Sequence, residues 1–374
     1  MADKTDTLSK ALPESVRRHN KAVLLKLLYP DVSLTRADLA RASSLTRMAV
    51  SDIVSELLGE DLLMEVGLSH TAGPGKRGRL LRINPEGRSV VALDLSTPYV
   101  FRGAVMNLLG QVTAREEIPL TTQEKVPVEL VGELCTSLID RAGSPVLGVG
   151  VTSPGIVSQA GVVDDATNLG WVQMDLRGYL AGLTGLDVYV NNDANNEVLA
   201  ERHFGSGERD LLMIHLGDGV GAGVLVAGKL VTGRNRAAGE IGHVVVDEDG
   251  PLCRCGKRGC LEAMISVPKL TAMMDKDPAA ISDILKEAGR MLGRVLALSV
   301  SLLDLPRVAV LGDARVVNRI FLGSLQDTIN RAVTTDFKKP VTVDRSALGE
   351  DASLLGACST VVGGELHFGG DMEV

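Results

Sequence analysis

Long apolar runs, a leader-like N-terminus and an even set of cysteines are all missing from this 374-residue chain. No stretch of about 18 uncharged apolar residues occurs, which argues against a membrane-spanning helix. The first residues do not combine a basic start with an apolar run, so export is not expected and the cytoplasm is the expected location. The cysteines number five. An odd count, this length and the missing leader together disfavour a secreted disulfide framework. Cys135 and Cys358 stand alone in apolar contexts (GELCTSL and LLGACST) and read as buried, inert thiols.

What is present is ordinary for a globular protein: 45% hydrophobic and 23% charged residues. The length exceeds one core and fits two or three domains. The net charge of -8 hides an asymmetry, because the first 90 residues hold 14 Lys/Arg against 11 Asp/Glu. The basic excess sits at one end, where an anionic partner would be met.

Residues 1–13 are polar and are expected to form a disordered tail. Residues 14–87 read as a DNA-binding domain. A helical period (Val16, Val23, Leu24, Leu27, Leu28) ends at Tyr29-Pro30. Two short helices around a tight turn follow, in SLTRADLARASSLTRMAVSDIVSELL. Thr35 caps the first with Asp38 three residues on, a variant capping box, and Thr46 caps the second. Small residues at Ala42-Ser43-Ser44 let the helices cross closely, as in a helix-turn-helix. On that reading Arg36, Thr46, Arg47, Met48 and Ser51 face DNA; the alternative is an ordinary helical hairpin. Two apolar strands, Leu62–Val66 and Leu80–Ile83, then flank a glycine-rich basic loop. Together they make a winged helix whose Lys76, Arg77 and Arg79 would meet phosphates or a minor groove. The alternative for the loop is a solvated linker.

From residue 88 to 374 strand and helix patterns alternate, with helices expected from about Val126 to Ala142 and from Val316 to Val333, which argues an α/β body. The strand pattern recurs twice, as in a duplicated fold with a cleft between two lobes. The turn GDGVGAG (Gly217–Gly223) is glycine-rich, but Asp218 within it would repel a phosphate. Asn191-Asn192-Asp193 closes a strand and opens a helix. Its polar groups suit vicinal hydroxyls and Asp193 could act as a general base, or the segment is simply a helix cap. Cys253, Cys255 and Cys260, with His243 ten residues before Cys253, form a closed Cys3His set suited to one structural Zn2+ per chain. The C-x-C spacing does not suit C-x-x-C redox chemistry.

The segment GEIGHVVVDEDGPLCRCGKRGCLE carries the pattern G-H…C-x-C-G-x-x-G-C-x-E without a gap. In this and in its winged helix, the chain resembles the ROK (repressor, open reading frame, kinase) family, specifically the winged-helix transcriptional regulators within it. The resemblance implies an α/β body with two actin-like (ribonuclease-H-like) lobes and zinc on His243, Cys253, Cys255 and Cys260 in a loop over residues 243–260. It implies sugar contacts from Asn192, Asp193, Glu240, His243 and Glu262, and, through the segment ATNLGW, from Asn168. His243 would serve both sites through its two ring nitrogens. Family kinases hold ATP with Asp-x-Gly-Gly-Thr, where this chain has Asp94-Leu95-Ser96-Thr97-Pro98, and with Gly-Thr-Gly, where it has Gly217-Asp218-Gly219. A glycine-rich third turn is reduced to Gly312-Asp313-Ala314. A misplaced unit charge at about 4 Å costs about 4 kcal/mol at an effective dielectric near 20. That is about a thousandfold in affinity. The expected protein is therefore a sugar-responsive regulator with a degenerate ATP site, not an enzyme, in which Asp193 keeps the place of a kinase base. Its expected partners are operator DNA, a sugar or sugar-phosphate effector, and a second copy of itself, as a homodimer or dimer of dimers. The enzymatic alternative is a sugar kinase carrying an accessory DNA-binding domain.

Overall fold

In the computed structural model, residues 13–69, 77–122 and 124–368 are described. Among them no helix is long and apolar enough to cross a membrane. The chain begins with α1 (Pro13–Leu28), β1 (Leu34–Thr35), α2 (Arg36–Ser43), α3 (Arg47–Gly59), β2 (Leu63–Leu68) and β3 (Arg79–Ile83). The three strands pair antiparallel in the order β1-β3-β2, giving the helix-turn-helix and sheet of a winged helix. Local chemistry sets the boundaries. The Thr35 hydroxyl accepts from the Asp38 N–H while the Asp38 carboxylate accepts from the Thr35 N–H, a reciprocal capping box. Ser44, in the left-handed region at φ 59°, ends α2, and the Thr46 hydroxyl accepts from the Ala49 N–H to start α3. Lys76 lies outside the described residues.

The first lobe opens with an antiparallel meander, β4 (Ser89–Asp94), β5 (Val100–Asn107) and β6 (Val112–Pro119), followed by α4 (Glu129–Asp140) and by β7 (Val146–Ser153) parallel to β4. A small sheet of β8 (Ile156–Val157), β9 (Val163–Ala166) and β10 (Trp171–Met174) and then α5 (Leu176–Thr184) precede β11 (Val188–Asn192), parallel to β7. α6 (Asp193–Phe204) leads into the second lobe. There β12 (Leu211–Leu216), β13 (Val220–Val226) and β14 (Lys229–Leu230) repeat the meander. α7 (Leu261–Ile265), α8 (Val267–Lys276) and α9 (Ile281–Leu302) follow, then β15 (Arg307–Gly312), α10 (Arg319–Val333), β16 (Thr342–Arg345) and α11 (Ala352–Glu365). β15 and β16 add in parallel to β12. The sheet orders β11-β7-β4-β5-β6 and β14-β13-β12-β15-β16 are the same topology used twice.

Two helix boundaries differ from the sequence expectation. A helix expected from Val126 starts at Glu129, because Pro127 holds Val126 extended, with its N–H donating to Leu169 O. A helix expected from Val316 starts at Arg319, where the Asn318 side chain accepts from the Ile320 and Phe321 N–H groups.

α11 was not legible in the sequence, and it joins the parts. It is buried along nearly its whole length, so it carries no amphipathic period. Leu354, Ala357, Cys358, Val361 and Val362 share one apolar cluster with Val90, Ala92 and Met106 of the first sheet and with Leu24, Leu28, Tyr29, Val54 and Leu57 of the winged helix. The N-terminal core is thus continuous with the body across residues 87 and 88. Lys26 Nζ donates to Phe368 O at 3.3 Å in the same region. Leu28 is fully buried in this cluster. Leu28→Ala is expected to destabilise the chain by about 2–5 kcal/mol, read as a lowered midpoint in urea unfolding. A loss below about 1 kcal/mol would show that the winged helix is not anchored there. Cys135 and Cys358 are buried, and burial pushes each thiol up to about 12, as expected of inert packing residues.

Candidate binding cleft and metal centre

Asn192 and Asp193 stand where β11 ends and α6 begins. Asn192 is the helix N-cap: Oδ1 accepts from the Asn195 N–H at 3.4 Å and Nδ2 donates to Gly155 O at 2.8 Å. Asp193 is the first helical residue, and its Oδ1 accepts from the Ala194 N–H at 2.7 Å. The capping role therefore falls to Asn192, leaving the second Asp193 oxygen with no hydrogen-bond partner among the described residues. Burial pushes the Asp193 carboxyl up to about 6; the positive charge of His215 opposes this, and Glu197 and Asp94 add to it.

β13 presses against this helix start, and its glycines are there for packing. A Cβ on Gly223 would stand 2.2 Å from Ala194 O. The segment Gly239–His243 docks on the other side of β13: the Ala222 N–H donates to Gly239 O at 2.9 Å, and a Cβ on Gly242 would stand 2.2 Å from Val220 O. Glu262, near the start of α7, accepts from the Val220 N–H at 3.3 Å, and its other oxygen lies 3.7 Å from Arg254 Nη2. The start of β13 thus brings together Glu240, His243 and Glu262. Asn168 sits half-buried in the β9–β10 turn of the first lobe, with no side-chain hydrogen bond to any of them.

Backbone pairing of residues 244–246 with 259–261 folds the cysteine segment back on itself. It places the four candidate ligand atoms of His243, Cys253, Cys255 and Cys260 within 4.8 Å of one another. His243 Nδ1 is 3.6 Å from Cys253 Sγ, and Cys255 Sγ is 3.6 Å from Cys260 Sγ. Sulfurs bound at about 2.3 Å to a tetrahedral ion lie at such separations, so the donor set fits a metal. Burial and the neighbouring sulfurs push Cys260 up to about 11. A cation is what would let all three thiols ionise together. While His243 Nδ1 faces the sulfurs, Nε2 lies 3.9 Å from Glu240 Oε2. One ring thus joins the cysteine cluster to Glu240.

The three turns that would meet a nucleotide are occupied by their own side chains. Asp94 accepts from the Ser96 N–H (2.9 Å), the Ser96 hydroxyl (2.6 Å) and the Thr97 hydroxyl (2.7 Å). A Cβ on Gly217 would stand 2.6 Å from His215 Nε2, so this glycine makes room for an imidazole. Asp313 accepts from the Arg315 N–H at 2.6 Å.

Residues 92–363 match the ROK family. The chain belongs to the ROK family. A xylose repressor of Caldicellulosiruptor bescii is 27% identical over 393 residues, spanning 94% of this chain and 98% of that protein. A glucokinase of Thermotoga maritima is 31% identical over 289 residues, spanning 68% of this chain and 90% of the kinase. Among solved structures, a ROK transcriptional regulator described as a homologue of Escherichia coli Mlc superposes with a TM-score of 0.80 at 22% identity, covering 96% of this chain and 98% of its own. That likeness extends through the N-terminal elements, which ROK residues 92–363 do not include.

Near Asp193 stands a pair that no sequence motif pointed to. Glu197, fully buried on α6, binds His215 Nδ1 at 2.9 and 3.1 Å. Two residues eighteen apart on a helix and a strand leave no local spacing to read.

On the winged helix, Thr46, Arg47, Met48 and Ser51 are all exposed at the start of α3, with Met48 76% exposed. Arg36 Nη1 lies 3.2 Å from Glu65 Oε1, and Arg79 is paired to the same carboxylate. Arg77 is exposed.

Proposed function

We propose that this chain is a sugar-responsive transcriptional regulator of repressor type, acting in the cytoplasm as a dimer on operator DNA. The observation that carries the reading is one of contrast. Asp193 keeps one oxygen without a hydrogen-bond partner among the described residues and Glu240 faces the His243 ring at 3.9 Å, while Asp94 and Asp313 are committed to their own turns and Gly217 gives its space to His215. The winged helix supplies a DNA reader, with α3 and Arg47 toward the major groove and Arg77 and Arg79 toward phosphates. Relatives named xylose repressor and glucokinase support a sugar as the ligand class. Asn168 would complete the cleft from the first lobe when the lobes close. Zinc on His243, Cys253, Cys255 and Cys260 would be structural, since four protein ligands leave no open position. It would fix the His243 ring so that Nε2 faces the cleft. Sugar binding would drive DNA release or capture only through different affinities for the two lobe arrangements.

Asp193 gives the reading a pH dependence. Its carboxyl is raised to about 6 in the fold, so the anionic acceptor is present above that pH and is lost as pH falls through it. Sugar affinity measured by calorimetry is expected to fall between neutral pH and about pH 5. Asp193→Asn is expected to cost about tenfold or more at neutral pH and to flatten the profile. An unchanged profile in the variant would remove Asp193 from the site.

A carboxyl near 6 is also suited to general-base work, which is the observation favouring a kinase with an accessory DNA-binding domain. The two readings separate in a coupled ATP assay across hexoses, pentoses and N-acetylhexosamines. No ATP-dependent phosphorylation is expected; turnover abolished by Asp193→Asn would establish the kinase.

A further inference from the structure

Glu197 and His215 form a buried ion pair that the zinc and sugar motifs do not include. Glu197 is 0% exposed and also accepts from the Ser353 hydroxyl of α11 at 3.2 Å. His215 is held through Nδ1 alone. Its side chain is 28% exposed, and Nε2 lies on the Gly217 side of the ring with no hydrogen-bond partner among the described residues. Burial opposes a charge on this imidazole, yet Glu197, Asp193 and Asp94 together push it up to about 10. At neutral pH both ring nitrogens are donors, and Nε2–H is a charged donor without an acceptor.

We infer that His215 Nε2 is a ligand-binding donor, and that the cleft takes a neutral sugar hydroxyl there and excludes a phosphate ester. The inference rests on the sugar-cleft reading above and narrows its ligand class. A hydroxyl can accept from His215 Nε2–H and still has a proton to donate to a carboxylate such as Asp193, whose charge acts on the imidazole. A phosphate can only accept, and it would face Asp193, Glu197, Asp94 and, on the adjoining turn, Asp218. Against these four carboxylates stand three cations: His215, already paired to Glu197; Arg102, whose Nη1 is 3.9 Å from Asp94 and which is shared with Glu117 and Asp351; and Arg254, whose Nη2 donates to Asp218 O at 3.5 Å and is shared with Glu262. The excess negative charge opposes a dianion and leaves a hydroxyl unaffected.

The test is calorimetric titration of the full chain with xylose, glucose and N-acetylglucosamine, and with xylose 5-phosphate, glucose 6-phosphate and N-acetylglucosamine 6-phosphate. One free sugar is expected to bind at least about tenfold more tightly than its own phosphate. The double variant Glu197→Gln, His215→Ala removes both charges together, so no buried charge is stranded. It is expected to lose about tenfold or more of that sugar affinity with bound zinc unchanged. A phosphate ester binding more tightly than its free sugar overturns the inference while leaving the sugar cleft standing. So does a double variant that binds the sugar as the parent does. If none of the six ligands binds at millimolar concentration, the sugar-cleft reading itself fails. Comparing sugar with phosphate on the unaltered chain needs no variant, so the inference remains exposed to refutation even if the double variant does not fold.

Discussion

Cys255→Ser is expected to empty the metal centre and to lower sugar affinity by about a hundredfold or more. Cys255 is exposed, so the replacement removes a ligand without opening a cavity in the core. Its thiol is held below the usual range, chiefly by the Lys257 backbone N–H, which favours the metal-binding thiolate. With three ligands left, the affinity for the ion drops steeply. The His243 ring then loses what fixes Nδ1, and Nε2 no longer has a defined place beside Glu240. The cleft wall has other supports, since Gly239 and Gly242 still dock on β13, so the fold is expected to persist. Metal content by mass spectrometry and sugar affinity by calorimetry, measured on one preparation, decide the matter. A metal-free variant with full sugar affinity would show that the loop does not hold the cleft. Treating the parent chain with a strong chelator should reproduce the variant.

Arg47→Ala is expected to weaken operator binding by about 1–3 kcal/mol and to relax discrimination at one base pair. Arg47 is the first residue of α3, exposed and without an ion-pair partner among the described residues, at the end of the helix that a helix-turn-helix directs at bases. Arg77→Ala should instead weaken all sequences alike and reduce the salt slope by about one. Arg36 and Arg79 share Glu65, so replacing either should cost less than replacing Arg47. The measurement is fluorescence anisotropy on the chain's own upstream promoter and on a scrambled duplex, at several salt concentrations. Equal losses on both duplexes for Arg47→Ala would make it a phosphate contact. No loss on either would remove α3 from the interface.

Much of this was legible because the relevant chemistry is local. The capping boundaries at Thr35 and Thr46 depend on side chains three residues away. The cysteine cluster is packed into eight residues, so its ligand convergence is a property of one loop. The doubled lobe pattern follows from alternation of strands and helices. The helix starts near residues 126 and 316 are set locally too, by Pro127 and by the Asn318 cap.

Other features depended on contacts between distant segments. α11 is buried on every side, and an element without a polar face has no period to detect; its role in joining the winged helix to the body follows from where Leu354 and Val361 pack. In sequence, the glycines of GDGVGAG resemble a weak phosphate turn. Gly223 instead meets the backbone of Ala194, a contact that no one-dimensional spacing encodes. The pairing of Glu197 with His215 arises only when α6 is laid against β12, and with it the charge balance of the cleft. By itself the sequence determined the winged-helix pattern, the grouping of His243 with Cys253, Cys255 and Cys260, and the family, because each is written in residues close together along the chain. Only the tertiary structure decided which carboxylates stay free, which are consumed by their own turns and where a protonated imidazole stands, because burial and electrostatics are set by neighbours in space.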